Sequence, residues 1–140
     1  MASTANIDSV MSRDVRSIAP TASLKDAAAL MADLNVGSLP VCDGERIVGM
    51  ITDRDLTVRG TAAGLNPLTS KVGELLSADA HTVLASDSIE RGLQLMAQMQ
   101  VRRLPVIDAK GKLVGIVSLG DLATRQERPV EGTLEKISEP

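Results

Sequence analysis

The chain has 140 residues, a net charge of −3 and 44% apolar residues, yet it contains no Phe, Tyr or Trp. Its core must therefore be built from Leu, Val, Ile, Met and Ala, and no aromatic platform is available to stack on single-stranded bases. Because the charge balance also gives no broad basic field for a phosphate backbone, we expect neither DNA nor RNA as a direct partner.

The N-terminal segment and the cysteine content predict the compartment. Residues 1–8 are small and polar, without the apolar stretch of a signal peptide, and no segment approaches the roughly 18 apolar residues that a membrane span needs. Cys42 is the only cysteine, so no internal disulfide forms. We therefore expect a soluble protein of the reducing cytoplasm with no membrane partner.

In chain order, the first half predicts a strand, a helix, a β-hairpin and a second helix. Apolar residues recur at helical spacing over 24–34, and Thr21 or Ser23 supplies the cap before them. The Asp43-Gly44 pair marks the hairpin turn, and Asp55 lies in the first turn of the second helix, where a carboxylate suits the helix dipole. The predicted strands cover 15–18, 39–42 and 46–52, and the second helix begins near Asp53.

The second half repeats these elements at an offset of about 65 residues. Leu39-Pro40-Val41 falls on Leu104-Pro105-Val106 and, after one inserted residue, Gly49 falls on Gly115. Because a β-α-β-β-α unit cannot bury its apolar sheet face alone, we expect the two copies to pack sheet to sheet as a pseudo-twofold pair in an α+β fold. The repeated elements are strands over 82–84, 104–107 and 112–118, a helix over 89–99 capped by Ser86 or Ser88, and a helix that begins near Leu119.

These elements divide the chain into two repeats, a linker and a tail. Val130, Leu134 and Ile137 give the tail an apolar stripe that suits a short partner-binding or dimer-strapping helix, while its polar composition suits disorder equally well. The predicted parts are the first repeat with its N-terminal segment (1–60), the linker (61–71), the second repeat (72–125) and the tail (126–140).

Both repeats contain an apolar-Pro-Val strand, a turn and the pattern Gly-apolar-apolar-apolar-Ser/Thr-x-x-Asp, which resembles the CBS domain. The resemblance covers residues 10–124. The run Thr52-Asp53-Arg54-Asp55-Leu56, followed by Gly60, is similar to small bacterial proteins that consist of a CBS pair alone. The resemblance implies a tandem, Bateman-type module with two ligand clefts. Each cleft is shared between the Ser/Thr-x-x-Asp of one copy and the first strand and pre-Leu-Pro residues of the other.

A nucleotide site without aromatic residues needs an apolar slot for the base, a carboxylate for the ribose diol and donors or positive charge for phosphate. Asp55 and Asp121 each offer two oxygens to the vicinal hydroxyls, and Thr52 and Ser118 offer hydroxyls for sugar or phosphate. By the resemblance, cleft one combines Met50, Thr52 and Asp55 with Thr82, Val83, Val101, Arg102 and Arg103, and cleft two combines Ile116, Ser118 and Asp121 with Ser17, Ile18, Val36, Gly37 and Ser38.

The two predicted clefts differ in charge. Arg102 and Arg103 can grip phosphate bidentately, which favours a charged nucleotide in cleft one. Gly37 and Ser38 occupy the corresponding places of cleft two and favour an adenosine-like or low-charge ligand, or vacancy.

Structural roles are also open for these residues. Asp55 and Asp121 suit helix caps, and the hydroxyl residues before them suit strand ends. Adjacent residues on a strand point to opposite faces, so Arg102 and Arg103 need not both reach one ligand. Val83 and Val101 are more typical of a core than of a base slot, and a residue can serve as both. Arg54 is more typical of an exposed surface than of a ligand site.

The sequence contains no catalytic constellation. It has one His and one Cys, His81 and Cys42, which form neither a nucleophile-base pair nor a metal-ligand spacing. We therefore predict no enzyme and no metal site. The favoured function is a regulatory module that senses AMP, ADP or ATP, with S-adenosylmethionine and NAD as further candidate ligands. Occupancy would pass to an unknown effector protein or to the module's own homodimer. The rival interpretation is a dimeric interaction scaffold with vestigial clefts.

Overall fold

The computed structural model describes residues 5–78 and 80–127, and the contacts group the chain into two compact units. The first unit, as we name it, runs from Arg16 to Ala80. The second unit combines the N-terminal residues up to Val15 with the chain from His81 onward. The predicted tail lies outside the described residues from position 128.

The first unit contains a long helix, an antiparallel hairpin and a π-helix. Its elements are α1 (Leu24–Leu34), β1 (Ser38–Asp43), β2 (Arg46–Thr52), the π-helix (Asp55–Thr61) and a 3-10 turn (Val72–Glu74). Ser38 lies opposite Thr52 at the open end of the hairpin, and a bulge interrupts the register between Val41 and Cys42. The predicted bounds of α1 and β2 are confirmed.

In the second unit a short strand joins the hairpin. The elements are a 3-10 turn (Ile7–Ser9), β3 (Val83–Leu84), α2 (Ile89–Met99), β4 (Arg103–Ile107), β5 (Leu113–Ser118) and α3 (Leu119–Glu127). The strand order is β3-β4-β5, with β3 parallel to β4 and β4 antiparallel to β5. Arg103 lies opposite Ser118 at the open end of this hairpin.

Helices α1 and α2 begin and end with the same local devices. The Ser23 and Ser88 hydroxyl oxygens accept backbone N–H bonds at 3.0 and 3.1 Å, so these two serines are the N-caps. Each helix ends at a residue with left-handed backbone, Asn35 (φ 56°) and Gln100 (φ 57°), which turns the chain towards the next strand. Among the helices of residues 5–78 and 80–127, none combines the length and the apolar character of a membrane span.

The strand predicted over 15–18 is wrong. Only Ile18 bridges β1: its N–H donates to the Pro40 carbonyl oxygen at 3.0 Å, and its carbonyl accepts from Cys42 N at 2.9 Å. Two residues later, Pro20 has no N–H to continue a ladder. The segment therefore forms one isolated bridge, whereas its counterpart β3 forms two consecutive pairs.

The second helix of the first unit is a π-helix, unlike its counterpart α3. Its hydrogen bonds join residues five apart, as between Ala62 N and Thr57 O at 3.0 Å. Gly60 is buried within it, and a Cβ at this position would lie 3.2 Å from Leu75 Cδ1. The glycine thus lets the wide turn pack directly against the core.

Each unit has its own core, which contains only aliphatic residues and methionine, as the composition requires. Equivalent positions of the repeat are used, for example Met31 and Met96 on the helices and Leu39 and Leu104 on the strands. The first core comprises Leu24, Ala27, Met31, Leu39, Val41, Ile51, Val72 and Leu75, and the second comprises Ile7, Val83, Ile89, Met96, Leu104, Val106, Val117 and Leu122.

Each core is completed by the leading segment of the other repeat. Ile7, at the start of the first repeat, is fully buried in the second unit, and Val72, at the start of the second repeat, is fully buried in the first unit. Ile7 N also donates to Asp87 O at 2.9 Å. The compact units therefore differ from the sequence repeats, because the leading segments, 5–12 and 72–77, are exchanged.

The exchanged segments are bonded to the last strand of each hairpin. Ser77 and Met50 share two backbone hydrogen bonds, at 2.9 and 3.0 Å. Ser12 and Ile116 share the equivalent pair, at 2.8 and 2.9 Å. Each leading segment thus adds one antiparallel bridge to the hairpin that it completes.

Close approach of these segments explains the glycine of the repeated pattern. A Cβ on Gly49 would lie 2.5 Å from the Ser77 carbonyl oxygen, and one on Gly115 would lie 2.8 Å from the Ser12 carbonyl oxygen. Both distances are shorter than a carbon-oxygen contact allows, so only glycine admits the exchanged segment without displacing it.

Candidate functional site

The Ser/Thr-x-x-Asp patterns of both repeats fold into reciprocal caps where the hairpin meets the following helix. Asp55 N donates to Thr52 Oγ1 at 3.0 Å, and Thr52 N donates to Asp55 Oδ2 at 3.0 Å. Ser118 and Asp121 make the same two bonds at 3.1 and 3.2 Å. The capping role that the sequence left open is therefore present in both copies.

Capping leaves part of each carboxylate available to a ligand. A carboxylate has about four lone-pair sites, and the backbone N–H takes one of them. Asp55 Oδ1 also lies 3.6 Å from Arg59 Nη1, and the Asp55 side chain is 17% exposed. Asp121 is exposed and makes no other hydrogen bond or ion pair with a described side chain. Asp121 is thus the more accessible of the two acceptors.

The first corner, our name for residues 36–38 together with 52–55, joins the start of β1 to the end of β2. Ser38 lies opposite Thr52, so their side chains share one face of the hairpin. One step outward, Asp53 N donates to Gly37 O at 2.9 Å. A Cβ on Gly37 would lie 3.1 Å from Asp53 Oδ2. The Asp53 carboxylate therefore lies directly beside Gly37.

The second corner, residues 101–103 together with 118–121, has the same backbone arrangement and the opposite charge. Arg103 lies opposite Ser118, and Leu119 N donates to Arg102 O at 2.8 Å. Both arginines are exposed, and neither guanidinium makes a hydrogen bond or ion pair with the described part of the chain. Two cationic groups are therefore available to an anion at this corner.

Each corner unites residues that the sequence assigned to different clefts. Gly37 and Ser38 of cleft two lie beside Thr52 and Asp55 of cleft one within the first unit. The same holds in the second unit, where the arginines of cleft one lie beside Ser118 of cleft two. The distribution of these residues between two shared clefts stays a prediction from the resemblance.

The remaining candidates differ in exposure. Val83 is 2% exposed and packs in the second core, so its side chain is not available to a ligand. Met50 and Ile116 carry the backbone bonds to the exchanged segments and are half-buried. Half-buried as well are Ile18, Val36, Thr82 and Val101, whereas Ser17 is exposed.

Asp53 is the charged residue of the corners that sequence reasoning missed. It occupies an unspecified position of the Ser/Thr-x-x-Asp pattern, so the pattern drew no attention to it. The repeat offset contains the signal: Asp53 falls on Leu119, while Gly37 falls on Arg102. These two differences between the repeats lie side by side, because a backbone hydrogen bond joins Asp53 to Gly37 and Leu119 to Arg102. Arg54 is exposed, as predicted.

The sulfur and imidazole groups lie outside the corners. Cys42 is buried in β1; burial raises the pKa of its thiol, and a hydrogen bond with the Ser17 side chain offsets part of that increase. His81 is exposed. Within residues 5–78 and 80–127, no group of three or more His, Cys, Asp or Glu side chains is placed to hold a metal ion.

The CBS domain family model matches residues 7–59 and 72–128. The family model thus matches the chain twice, once in each half. The chain therefore belongs to the CBS domain family, and its fold is a tandem CBS pair with mixed helices and strands.

Individual proteins confirm the resemblance to stand-alone pairs of the hypoxic response type. Hypoxic response protein 1 of Mycobacterium tuberculosis is 42% identical over 115 residues, which are 81% of this chain and 80% of the relative. The crystal structure of Hypoxic Response Protein I with two coordinated zinc ions has a TM-score of 0.77 and 40% identity, covering 85% of this chain and 97% of that one. The structure of CBSX2 in complex with AMP has a TM-score of 0.75 and 27% identity, covering 90% and 98%.

Proposed function

We propose that this protein is a regulatory module that binds an adenosyl ligand at its two corners and passes occupancy to a partner protein or to its own dimer. The observation that carries the proposal is the pair of reciprocal caps, which hold Asp55 and Asp121 in place and leave carboxylate lone pairs free. The AMP bound to CBSX2, a neighbour of the same fold, supports an adenine nucleotide as the ligand class.

The caps also orient the hydroxyl groups. Thr52 Oγ1 and Ser118 Oγ each accept a backbone N–H, so the hydroxyl hydrogen of each remains to donate. In the proposed site the carboxylate accepts from the ribose hydroxyls, while the Thr52 or Ser118 hydroxyl donates to a sugar or phosphate oxygen. A nucleotide presents both kinds of partner within one ribose-phosphate unit.

Phosphate binding is assigned to the second corner. The guanidinium groups of Arg102 and Arg103 are exposed and unpaired within the described residues, and each can contact phosphate through two N–H donors. AMP, ADP and ATP are therefore the proposed ligands here. How the residues of the two corners combine around one nucleotide stays as predicted from the resemblance.

Zinc is not carried over from the structural neighbour. A tetrahedral site takes four ligands from Cys, His and carboxylate side chains, and in protein sites most of them are Cys or His. This chain has one His and one Cys, and neither lies in a corner. We therefore propose no metal role for this chain.

The proposed output is a change in association. Exposed alanines of α1, such as Ala28 and Ala32, belong to the same unit as Val58 of the π-helix, which is 48% exposed. Apolar helix surface of this kind suits the homodimer that the family resemblance implies. Sedimentation of the protein with and without nucleotide measures whether occupancy alters that association.

Isothermal titration with AMP, ADP, ATP and S-adenosylmethionine tests ligand binding. Asp55→Asn and Asp121→Asn keep a cap acceptor but remove the charge, so each should weaken binding at its site about tenfold or more. Ser23→Ala is the control for lost stability, because it removes a helix cap worth about 1 kcal/mol outside the corners. The Ser23→Ala variant should bind nucleotide with the affinity of the unaltered protein.

The rival function is a dimeric scaffold with vestigial clefts. It is favoured if no adenosyl ligand gives heat at millimolar concentration while the protein stays dimeric. Equal weakening by Ser23→Ala and Asp55→Asn would also count against the site, because the loss would then follow stability rather than contact.

A further inference from the structure

The two corners place opposite charges at one position of the same backbone. In the second corner the residue before the strand is Arg102, whose carbonyl accepts from Leu119 N at 2.8 Å. In the first corner the same bond joins Gly37 to Asp53 at 2.9 Å. In the second corner the side chain at this place is the guanidinium of Arg102, which precedes β4. In the first corner it is the carboxylate of Asp53, which follows β2.

The Asp53 carboxylate occupies the space that the missing Gly37 side chain leaves. Its Oδ2 lies 3.1 Å from the position of a Gly37 Cβ, and its Cγ lies 3.4 Å from it. Within the described residues this carboxylate makes no side-chain hydrogen bond or ion pair. Its negative charge is therefore not neutralised at the point where Arg102 offers a positive one.

We infer that Asp53 is a specificity-determining residue that keeps phosphate away from Gly37. The site at Gly37 then takes an adenosyl ligand with an uncharged or cationic 5′ substituent, and the site at Arg102 takes the phosphorylated nucleotide. This inference rests on the proposed function, because it needs an adenosyl ligand at the corners. It extends the charge difference expected between the two clefts and names the residue that sets it.

The sign of the effect follows from electrostatics. The repulsion between two negative charges at about 6 Å in water corresponds to about a threefold loss of affinity, and to more where the dielectric constant is lower. Arg54 is the adjacent cation and is exposed, but the group beside Gly37 is the carboxylate. Since Gly37 has no side chain, it supplies no compensating cationic or hydrogen-bonding side-chain group. A phosphate at this place therefore meets repulsion, whereas a neutral substituent does not.

The test is an NMR titration of the full chain with adenosine and with ATP, in which the Gly37 and Arg102 backbone amides report on the two corners separately. Asp53→Asn removes the charge and keeps the side-chain shape. Asp43→Asn is the matched control, because it makes the same change at the opposite end of β1, about 17 Å away. Circular dichroism checks that both variants fold.

In the unaltered protein, adenosine should bind at Gly37 more tightly than ATP, while ATP should be preferred at Arg102. Asp53→Asn should raise the affinity for ATP at Gly37 by about threefold to tenfold relative to adenosine, and this gain should shrink in high salt. Asp43→Asn should change neither ratio.

Two results overturn the inference and leave the proposed function intact. One is an unchanged ratio of ATP to adenosine affinity at Gly37 in Asp53→Asn. The other is a Gly37 amide that responds to neither ligand while Arg102 responds to ATP. If no amide of either corner shifts with either ligand, the proposed function fails and the inference fails with it.

Discussion

The two corners of this CBS pair have the same backbone and different charges. Residues of the repeated pattern build the backbone in both: the pairs Thr52–Asp55 and Ser118–Asp121 form the same reciprocal caps within 0.2 Å. Residues between the pattern positions supply the charge, a carboxylate from Asp53 against the guanidinium of Arg102. The comparison teaches that the motif identifies the scaffold, while the residues to which we assign ligand preference lie at positions that the motif leaves unspecified.

The units also differ in the side chain that anchors each exchanged segment, and this difference gives the largest expected effect. Ile7→Ala removes a fully buried side chain from the second core and should lower the free energy of unfolding by about 3 kcal/mol. Val72→Ala removes a smaller one from the first core and should cost about 2 kcal/mol. Urea unfolding measures both. A cost below about 1 kcal/mol for Ile7→Ala would mean that segment 5–12 does not complete the second core.

Gly49 and Gly115, the glycines that contact the exchanged segments, also differ in their surroundings. Gly49→Ala should cost about 2–3 kcal/mol, because the added Cβ meets the Ser77 carbonyl oxygen at 2.5 Å. Gly115→Ala should cost somewhat less, since the added Cβ meets the Ser12 carbonyl oxygen at a longer distance of 2.8 Å and its other close neighbour is the flexible Met11 side chain.

Gly120→Ala is the control for these two substitutions. Its nearest neighbour is Ser118 Oγ at 3.8 Å, and alanine is the better helix former, so stability should be unchanged or slightly higher. Equal losses in the free energy of unfolding for Gly49→Ala and Gly115→Ala would show that the two exchanged segments are displaced equally easily.

The helix ends offer a smaller contrast. Gln100 and Asn35 both have left-handed backbone, which asparagine tolerates better than glutamine. Gln100→Asn should therefore raise the free energy of unfolding by about 0.5 kcal/mol, and Asn35→Gln should lower it by a similar amount. Thermal unfolding of the two variants measures the change, and a shift in the same direction for both would contradict the explanation.

The smallest effect concerns Cys42, a titratable residue that is buried in β1. Cys42 occupies the position of Ile107 in the other unit, and burial raises the pKa of its thiol. The folded state then holds the proton more tightly, so this stabilisation is present at neutral pH. It is lost as the pH rises above about 8.5 and through the higher folded pKa.

Cys42→Val removes this dependence. Urea unfolding at pH 7.5 and pH 10, with reductant, should show a smaller loss of stability on raising the pH in the variant than in the unaltered protein. Every other ionisable group is present in both proteins, so the difference between them isolates the thiol. An identical loss in the two proteins would show that the thiol makes no contribution.

Local patterns predicted most of the fold and only part of the site. Helical periodicity gave α1 and α2 with their bounds, and the turn residues gave both hairpins, because these features depend on neighbours in sequence. The exchange of segments 5–12 and 72–77 could not be predicted from local patterns, since each segment is short and contacts strands that are distant from it in the sequence. The 65-residue offset relates Ile7 to Val72, but only the packed cores show that each residue is buried in the unit formed by the other repeat.

The corners show the same limit. The Ser/Thr-x-x-Asp spacing identified Asp55 and Asp121 correctly as residues of a common local structure. It gave no indication of Asp53, whose relation to Gly37 arises from the pairing of β1 with β2 rather than from spacing. Residues that face each other across a hairpin become visible only when the register is known.

A crystal structure of the protein grown with ATP tests the ribose and phosphate roles most directly. The proposed function predicts ribose hydroxyl oxygens within about 2.5–3.2 Å of the carboxylate oxygens of Asp55 or Asp121. It also predicts phosphate oxygens at the guanidinium of Arg102 or Arg103. A nucleotide bound elsewhere on the molecule, or none at millimolar ATP, would contradict the assignment of the corners as adenosyl-ligand sites.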